Sequence, residues 1–208
     1  MGRRSFLKMV AFVSFLLTVF GSDPDIISDF IFLPALNGTT NVTADFFAFK
    51  GLREVFQSEE PQKFKATKVT VAEFPALLGQ SVSAAVLEYP AGSVNPPHTH
   101  PRSAELLFVL QGSLTVGFVD TKNQLFSQSL QVGDLFVFPK GLVHFQFNSD
   151  SSAVAATAVS AFASANPGTV SLPATVFADG IDDNVLAKSF NTDVATIQKI
   201  KAGIAAPH

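Results

Sequence analysis

Three histidines and one glutamate are the side chains in this sequence whose types and spacing best suit chemistry. His98 and His100 are separated by one residue, Glu105 follows five residues later, and His144 lies in a second block. The chain has only four histidines, and the fourth, His208, is its last residue. Imidazole nitrogens and carboxylate oxygens are common ligands of transition metals. The set therefore predicts a metal site.

The spacing indicates how these side chains meet. On a β-strand, alternate residues point to the same face, so His98 and His100 would project to one side. Glu105 would face the opposite side of an unbroken strand, but residues 101–103 begin with a proline and allow the chain to bend. His144 follows a turn-forming Pro-Lys-Gly segment and opens a further strand. An antiparallel neighbour could carry it to the same interior.

The donor set narrows the kind of ion. Three imidazoles and one carboxylate leave positions open on an ion that prefers six ligands, which favours a redox-capable ion such as manganese or iron over a closed zinc site. The chain has no cysteine, so thiolate sites are excluded. Affinity alone would favour copper or zinc, so the ligand types do not decide the metal. Any one of these histidines alone would more often be a buried polar residue than a ligand.

The sequence predicts two kinds of secondary structure around these four side chains, strands and helices. Short runs rich in Val, Phe, Leu and Ala recur between turn residues, as is typical of a β-sandwich or barrel. Gly112, Gly133 and Gly141 would supply turns between strands. The predicted strands span 81–89, 105–110, 113–119, 125–130, 134–138, 143–148 and 153–161. Towards the C-terminus, apolar residues recur every three or four positions, which predicts helices over 173–177, 183–190 and 192–202.

Composition and charge bound the class of protein. The chain has 208 residues, of which 47% are hydrophobic and 15% charged, as in a compact globular domain. Basic residues precede an apolar run over 9–20, a pattern typical of a secretory signal peptide over 1–22. That run is shorter than the roughly 20 residues needed to span a bilayer, so we expect no membrane anchor. Removal of 1–22 leaves 11 basic and 17 acidic residues, which argues against a nucleic-acid partner.

The remaining chain, 23–208, is predicted to be a single domain. We divide it into an N-terminal arm over 23–67, a barrel over about 68–165 and C-terminal helices over about 170–203. Asn37 and Asn41 each begin an Asn-x-Thr sequon in a polar stretch and are predicted glycosylation sites.

The two blocks resemble the two motifs of the cupin superfamily. Residues 95–102 and 138–148 are similar to those of plant germins and germin-like proteins, and the likeness extends from Asp23 to Ala202. The resemblance implies an all-β fold, the cupin jelly-roll β-barrel, with short C-terminal α-helices. It also implies manganese held by the set named above, secretion to the extracellular space of the plant cell wall, the apoplast, and self-association as a homohexamer built as a trimer of dimers. One departure is the absence of cysteine: Ile31 stands where most relatives have the first cysteine of a disulfide.

The leading function is superoxide dismutation. A secreted manganese protein with open coordination positions could bind this small substrate and produce hydrogen peroxide, with a role in plant defence or stress. No catalytic residue is predicted beyond the metal centre. Asn95, three residues before His98, is a candidate hydrogen-bond donor to a metal ligand or to substrate.

Two alternatives remain open. The oxalate-oxidising germins resemble this chain at Asn95 but carry a second asparagine where this chain has Ala85. Loss of a hydrogen bond to a charged ligand costs about 1.5–3 kcal/mol, so we rank oxalate oxidase below dismutase. The other alternative is a non-catalytic cupin with a binding, receptor-like or storage role, in which the metal only stabilises the barrel.

Overall fold

The computed structural model describes residues 23–33, 41–149, 154–178 and 180–205. The predicted signal peptide and the first sequon asparagine, Asn37, lie outside this part of the chain, whereas Asn41 lies within it and is exposed. No helix in the described residues is long and apolar enough to cross a membrane.

The described residues form two antiparallel sheets of five strands each. One sheet has the order β1-β2-β9-β4-β7 and the other β10-β3-β8-β5-β6. This is the predicted all-β jelly-roll. The strands are β1 Lys65–Val69, β2 Ser83–Tyr89, β3 Val94–Thr99, β4 Glu105–Gln111, β5 Ser113–Val119, β6 Leu125–Gln131, β7 Leu135–Phe138, β8 Val143–Phe147, β9 Ala156–Phe162 and β10 Val170–Ser171.

Two strands differ from the sequence prediction. β1 was not among the predicted strands, because Lys65 and Lys68 interrupt the alternation of apolar residues. β10 is only two residues long and exists through its pairing with β3, Val170 opposite Thr99. Such a short segment carries no periodicity of its own.

The core lies between the two sheets. Side chains alternate along each strand, as the pleat requires. In β4, Leu107 and Val109 are fully buried, whereas Leu106 and Phe108 face outward and are partly exposed. Gly112 joins β4 to β5 at φ 71°, and a Cβ there would lie 2.5 Å from the Ala155 carbonyl oxygen. Glycine is therefore required at this turn.

The predicted C-terminal helices are present with small shifts in their ends. They are α1 Leu172–Phe177, α2 Asp183–Ser189 and α3 Val194–Ala205. Leu186, Ala187 and Ile197 form a small apolar core among these helices. Helix α1 also contacts β3, so the helices pack beside the strand that leads into the candidate site.

The described part of the N-terminal arm contains two 3₁₀ helices, Ala44–Phe47 and Gly51–Phe56. Its first described residue, Asp23, contacts the segment after β9. The Asp23 carboxylate accepts hydrogen bonds from Ser164 Oγ at 2.7 Å and from the Ala165 amide at 2.6 Å. The Asp23 carboxylate thus attaches the arm to the segment after β9, although Asp23 and Ser164 are 141 residues apart in sequence.

Candidate metal centre

Both sheets contribute to the candidate site. His98 on β3 lies directly opposite His144 on β8, so their side chains face the same interior. His100 follows the end of β3, and Glu105 is the first residue of β4 in the other sheet. The four side chains therefore converge between the sheets.

The bend between His100 and Glu105 explains how two residues separated by an odd number of positions can face the same interior. The Arg102 amide donates to the Pro167 carbonyl, and the Gly141 amide donates to the His100 carbonyl. These bonds hold the chain as it passes from one sheet to the other. Glu105 consequently enters the interior from the sheet opposite the histidines rather than from the far face of β3.

The ligand atoms of this group are close enough to share one ion. One donor atom from each of His98, His100, Glu105 and His144 lies within 4.8 Å of the others. The His98 and His144 rings have centroids 4.2 Å apart. All four residues are buried, with His98 at 3% and Glu105 at 2% exposure. Burial of three imidazoles and a carboxylate together requires compensating charge.

Backbone carbonyls orient all three imidazoles. Nδ1 of His98 lies 2.8 Å from the Pro96 carbonyl oxygen, and Nδ1 of His144 lies 2.9 Å from that of Leu142. Nδ1 of His100 contacts the Gly168 carbonyl oxygen. A carbonyl can only accept, so each Nδ1 carries the proton and each Nε2 of the neutral ring has a free lone pair. This is the tautomer that a metal-binding histidine needs.

Glu105 faces two of these lone pairs. Its Oε2 lies 3.0 Å from His100 Nε2 and 3.1 Å from His144 Nε2. Burial raises the pKa of Glu105, and only where His100 and His144 carry a proton at Nε2 do their hydrogen bonds outweigh burial and hold that pKa well below its usual range. Because the Nδ1 protons are already committed, only a cation, either an added proton or a metal ion, can satisfy these contacts. The donor set thus fits a divalent metal.

His98 is neutral at physiological pH. Burial, followed by the electrostatic effect of the adjacent His144 ring, lowers the pKa of His98 to about 4 from an ordinary value of 6.5. A neutral imidazole is the ligand form of histidine.

A polar network supports the other oxygen of Glu105. Oε1 accepts a hydrogen bond from Ser160 Oγ at 2.5 Å and from Gln146 Nε2 at 3.3 Å. Gln146 in turn accepts from Asn95 Nδ2 at 2.6 Å. Asn95, the predicted hydrogen-bond donor, therefore reaches the carboxylate through Gln146 rather than directly.

Sequence reasoning missed Gln146 and Ser160. Gln146 lies two residues after His144 on the same strand, so the period of a strand would have placed it on the site's face. Ser160 carries no such indication, because its position depends on the pairing of β9 with β4, where it lies opposite Leu107.

A cavity of about 130 Å³ adjoins three of the four residues, His98, His100 and Glu105. His98, His100, Glu105 and Asn95 line one part of it, and the remaining wall is mainly apolar. That wall includes Ala85, which is buried on β2. The site thus has room beside these side chains for a small ligand.

Comparison with known proteins identifies the family. The sequence matches the Cupin family over residues 52–198. It is 57% identical over 194 residues to germin-like protein 9-3 of Oryza sativa subsp. japonica, covering 91% of this chain and 89% of that protein. It is 40% identical over 209 residues to germin-like protein subfamily 2 member 1 of Arabidopsis thaliana, covering 94% of each. The chain belongs to the germin-like proteins of the cupin family. The resemblance expected from the two motifs is confirmed.

Solved structures place this germin-like chain near oxalate oxidase. A structure from a study of the mechanism of oxalate oxidase superposes with a TM-score of 0.78 at 32% identity, covering 88% of this chain and 98% of that one. Peruvianin-I, described as a cysteine peptidase from Thevetia peruviana latex, superposes with a TM-score of 0.61 at 29% identity, covering 72% and 97%. The present sequence has no cysteine to act as a peptidase nucleophile.

Proposed function

We propose that this germin-like protein holds a manganese ion between His98, His100, Glu105 and His144 and dismutates superoxide after secretion. The observation that carries the metal site is the orientation of the imidazoles. Each Nδ1–H is bonded to a carbonyl, which leaves three Nε2 lone pairs beside an ionised carboxylate. Similarity to oxalate oxidase and the open positions of the donor set support manganese over zinc.

When bound, manganese would supply the one-electron couple that dismutation needs. Two superoxide anions and two protons give dioxygen and hydrogen peroxide, one anion being oxidised and the other reduced. The chain must therefore keep the ion in place, admit a small anion and exclude larger reactants. The cavity of about 130 Å³ meets the size requirement, since typical drug-sized pockets measure roughly 300–1,000 Å³.

The direct test of the metal site is metal content. The purified protein should contain close to one manganese per chain, and His144→Ala should lose it, because removal of one of four donors opens the site to water. Glu105→Gln should weaken binding while preserving the shape of the side chain. Metal content that is the same in all three proteins would contradict the proposed site.

Oxalate oxidation is the second candidate, favoured by the similarity to oxalate oxidase. Ala85 argues against it, because its methyl group on the cavity wall cannot donate the hydrogen bond that an asparagine amide would give a dicarboxylate. Ala85→Asn should raise oxalate turnover at least several-fold. Ready turnover of oxalate by the wild-type protein would contradict the argument that Ala85 prevents oxalate oxidation.

A non-catalytic role is the third candidate, because cupins host binding and storage functions as well as enzymes. Glu105→Gln distinguishes the two classes. Loss of an activity in this variant supports an enzyme, whereas a lower melting temperature with no activity to lose supports a metal-stabilised binding protein.

Self-association completes the proposal, with a hexamer built as a trimer of dimers and a role in defence or stress in the plant cell wall space. Its support is an exposed apolar surface on the outer face of β4 and β7. We call this surface the outer apolar face. It consists of Leu106, Phe108, Leu110, Leu135 and Val137, whose exposed fractions lie between 36% and 60%. An apolar surface of this kind is typical of protein interfaces.

A further inference from the structure

The edge strand β1 turns one face towards the metal cavity. Phe64 and Ala66 pack against the barrel core, and alternate positions continue that face outward to Lys68 and Thr70. All four residues line the cavity beside the histidines. The strand therefore places one cation, Lys68, in the wall of an otherwise mainly apolar cavity.

The strand register links Lys68 to the candidate ligands. Lys68 lies opposite Ala85 on β2, and Ala85 lies opposite Ser160 on β9. Ser160 donates its hydroxyl to Glu105. Lys68 is thus in the same cross-strand row as the group that supports the ion, at the solvent end of that row.

Lys68 also has no ion-pair partner among the described residues. Within the described residues, no carboxylate lies within 4.0 Å of its ammonium group, whereas Lys65 on the opposite face of β1 pairs with Glu88 at 3.7 Å. Lys68 interacts electrostatically with Glu73. The Glu73 carboxylate is held by the Thr70 amide and hydroxyl at 2.8 and 2.7 Å. Those bonds and, to a lesser extent, the charge of Lys68 keep the pKa of Glu73 below its usual value. Glu73 therefore remains an anion that partly offsets Lys68.

We propose that Lys68 recruits and selects small monoanions at the mouth of the metal cavity. The inference rests on the proposed metal centre and adds the class of ligand that reaches it. The cavity admits only a few heavy atoms, and its wall beside Lys68 is mainly apolar. An inorganic monoanion or a one-carbon carboxylate fits both features. A second carboxylate would have to be buried against Ala85 without a partner, which is costly.

Azide binding to the cobalt-substituted protein tests this role without any turnover. Cobalt(II) gives a visible spectrum that changes when an anion coordinates, so the azide dissociation constant can be read directly. Lys68→Gln should raise that constant about threefold to tenfold at low ionic strength, as expected for loss of one charge near the binding position. Glu73→Gln should lower it, because the offsetting charge is removed.

Lys65→Gln is the matched control. It removes the same charge from the same strand but on the face that pairs with Glu88, and azide affinity should be unchanged. The difference between Lys68→Gln and wild type should shrink in about 1 M salt, where the Debye length is ~3 Å. Equal azide affinity in the two lysine variants, or a difference that salt leaves untouched, would overturn the assignment of Lys68.

The two proposals can fail separately. Azide coordination requires only a bound divalent ion with an open position, so the Lys68 result stands whether or not the manganese protein dismutates superoxide. A protein that binds no cobalt would overturn the metal centre and the anion role of Lys68 together.

Discussion

At the scale of single residues, the site depends on how its carboxylate is held. Glu105 must stay ionised while buried. Its Oε1, the oxygen that does not face the histidines, accepts its shortest hydrogen bond from Ser160, at 2.5 Å. Groups that orient a metal ligand in this way influence affinity strongly.

Ser160→Ala should therefore weaken metal binding by about tenfold to a hundredfold, the usual effect of losing a group that orients a ligand. Competition with a coloured chelator measures the affinity. Ser83→Ala is the control, since Ser83 is also buried but donates to the Ser164 carbonyl rather than to Glu105. An effect of the same size in both variants would mean that general destabilisation, not Glu105, is responsible.

The depressed pKa of His98 predicts a pH dependence of stability. The folded value is about 4 and the ordinary value 6.5, so between these pH values the unfolded chain binds more protons. The metal-free protein should therefore lose unfolding free energy as the pH falls from about 6.5 to 4, by on the order of 3 kcal/mol at most.

Urea unfolding of the metal-free protein across this range measures the effect. His98→Asn serves as the comparison, because it removes this proton while other groups still titrate. Its stability should fall less steeply over the same window. Parallel curves for the two proteins would show that His98 is not buried in its neutral form.

At the scale of elements, contacts between sequence neighbours could be predicted, whereas contacts between distant residues could not. His98 and His144 each bond to the carbonyl two residues earlier, so their orientation is encoded by residues next to them in the sequence. Their convergence follows from strand period and antiparallel pairing, which the motif spacing predicted. His100 instead relies on Gly168, a residue 68 positions away, and Ser160 relies on strand pairing. No local pattern specifies such contacts.

The same distinction applies to the strands. The barrel strands with alternating apolar residues were predicted to within a few residues. β1 was not among the predicted strands, because Lys65 and Lys68 interrupt the alternation of apolar residues by which strands are recognised.

The arm near Asp23 offers a prediction at this scale. Its carboxylate holds Ser164 and Ala165, which precede the Gly168 carbonyl that orients His100. Asp23→Ala should destabilise the protein by about 1–3 kcal/mol, the usual cost of leaving charged hydrogen bonds unmade. Thermal unfolding measures the change.

Asp25→Ala is the matched control, because this second acid of the same arm is exposed. It should leave the melting temperature nearly unchanged. A loss of stability in the Asp25 variant equal to that of Asp23→Ala would indicate that the charge of the arm, rather than its bonds to the segment after β9, is what matters.

At the scale of the whole molecule, the outer apolar face should control assembly. Val137→Lys places a charge in the middle of this face, where Val137 is 55% exposed in the isolated chain and its replacement costs the fold little. If the face is buried between subunits, the charge should reduce the particle mass in light scattering.

Leu125→Lys is the comparison on the other sheet, at a residue that is 56% exposed. It should leave the mass of the assembly unchanged. A mass that is unaffected by Val137→Lys would exclude the outer apolar face as a subunit interface.

The C-terminal helices are a second candidate contact between subunits. If they pack on a neighbouring subunit, removal of residues 183–208 should also give smaller particles in light scattering.

The most direct test of the central claim is the superoxide dismutation rate of the purified protein, normalised to the manganese in the same sample. We predict a rate that rises in proportion to bound manganese, exceeds that of the free ion and disappears in His144→Ala. A fully manganese-loaded protein with no rate above the free ion would contradict the proposed enzyme and leave a metal-stabilised binding protein.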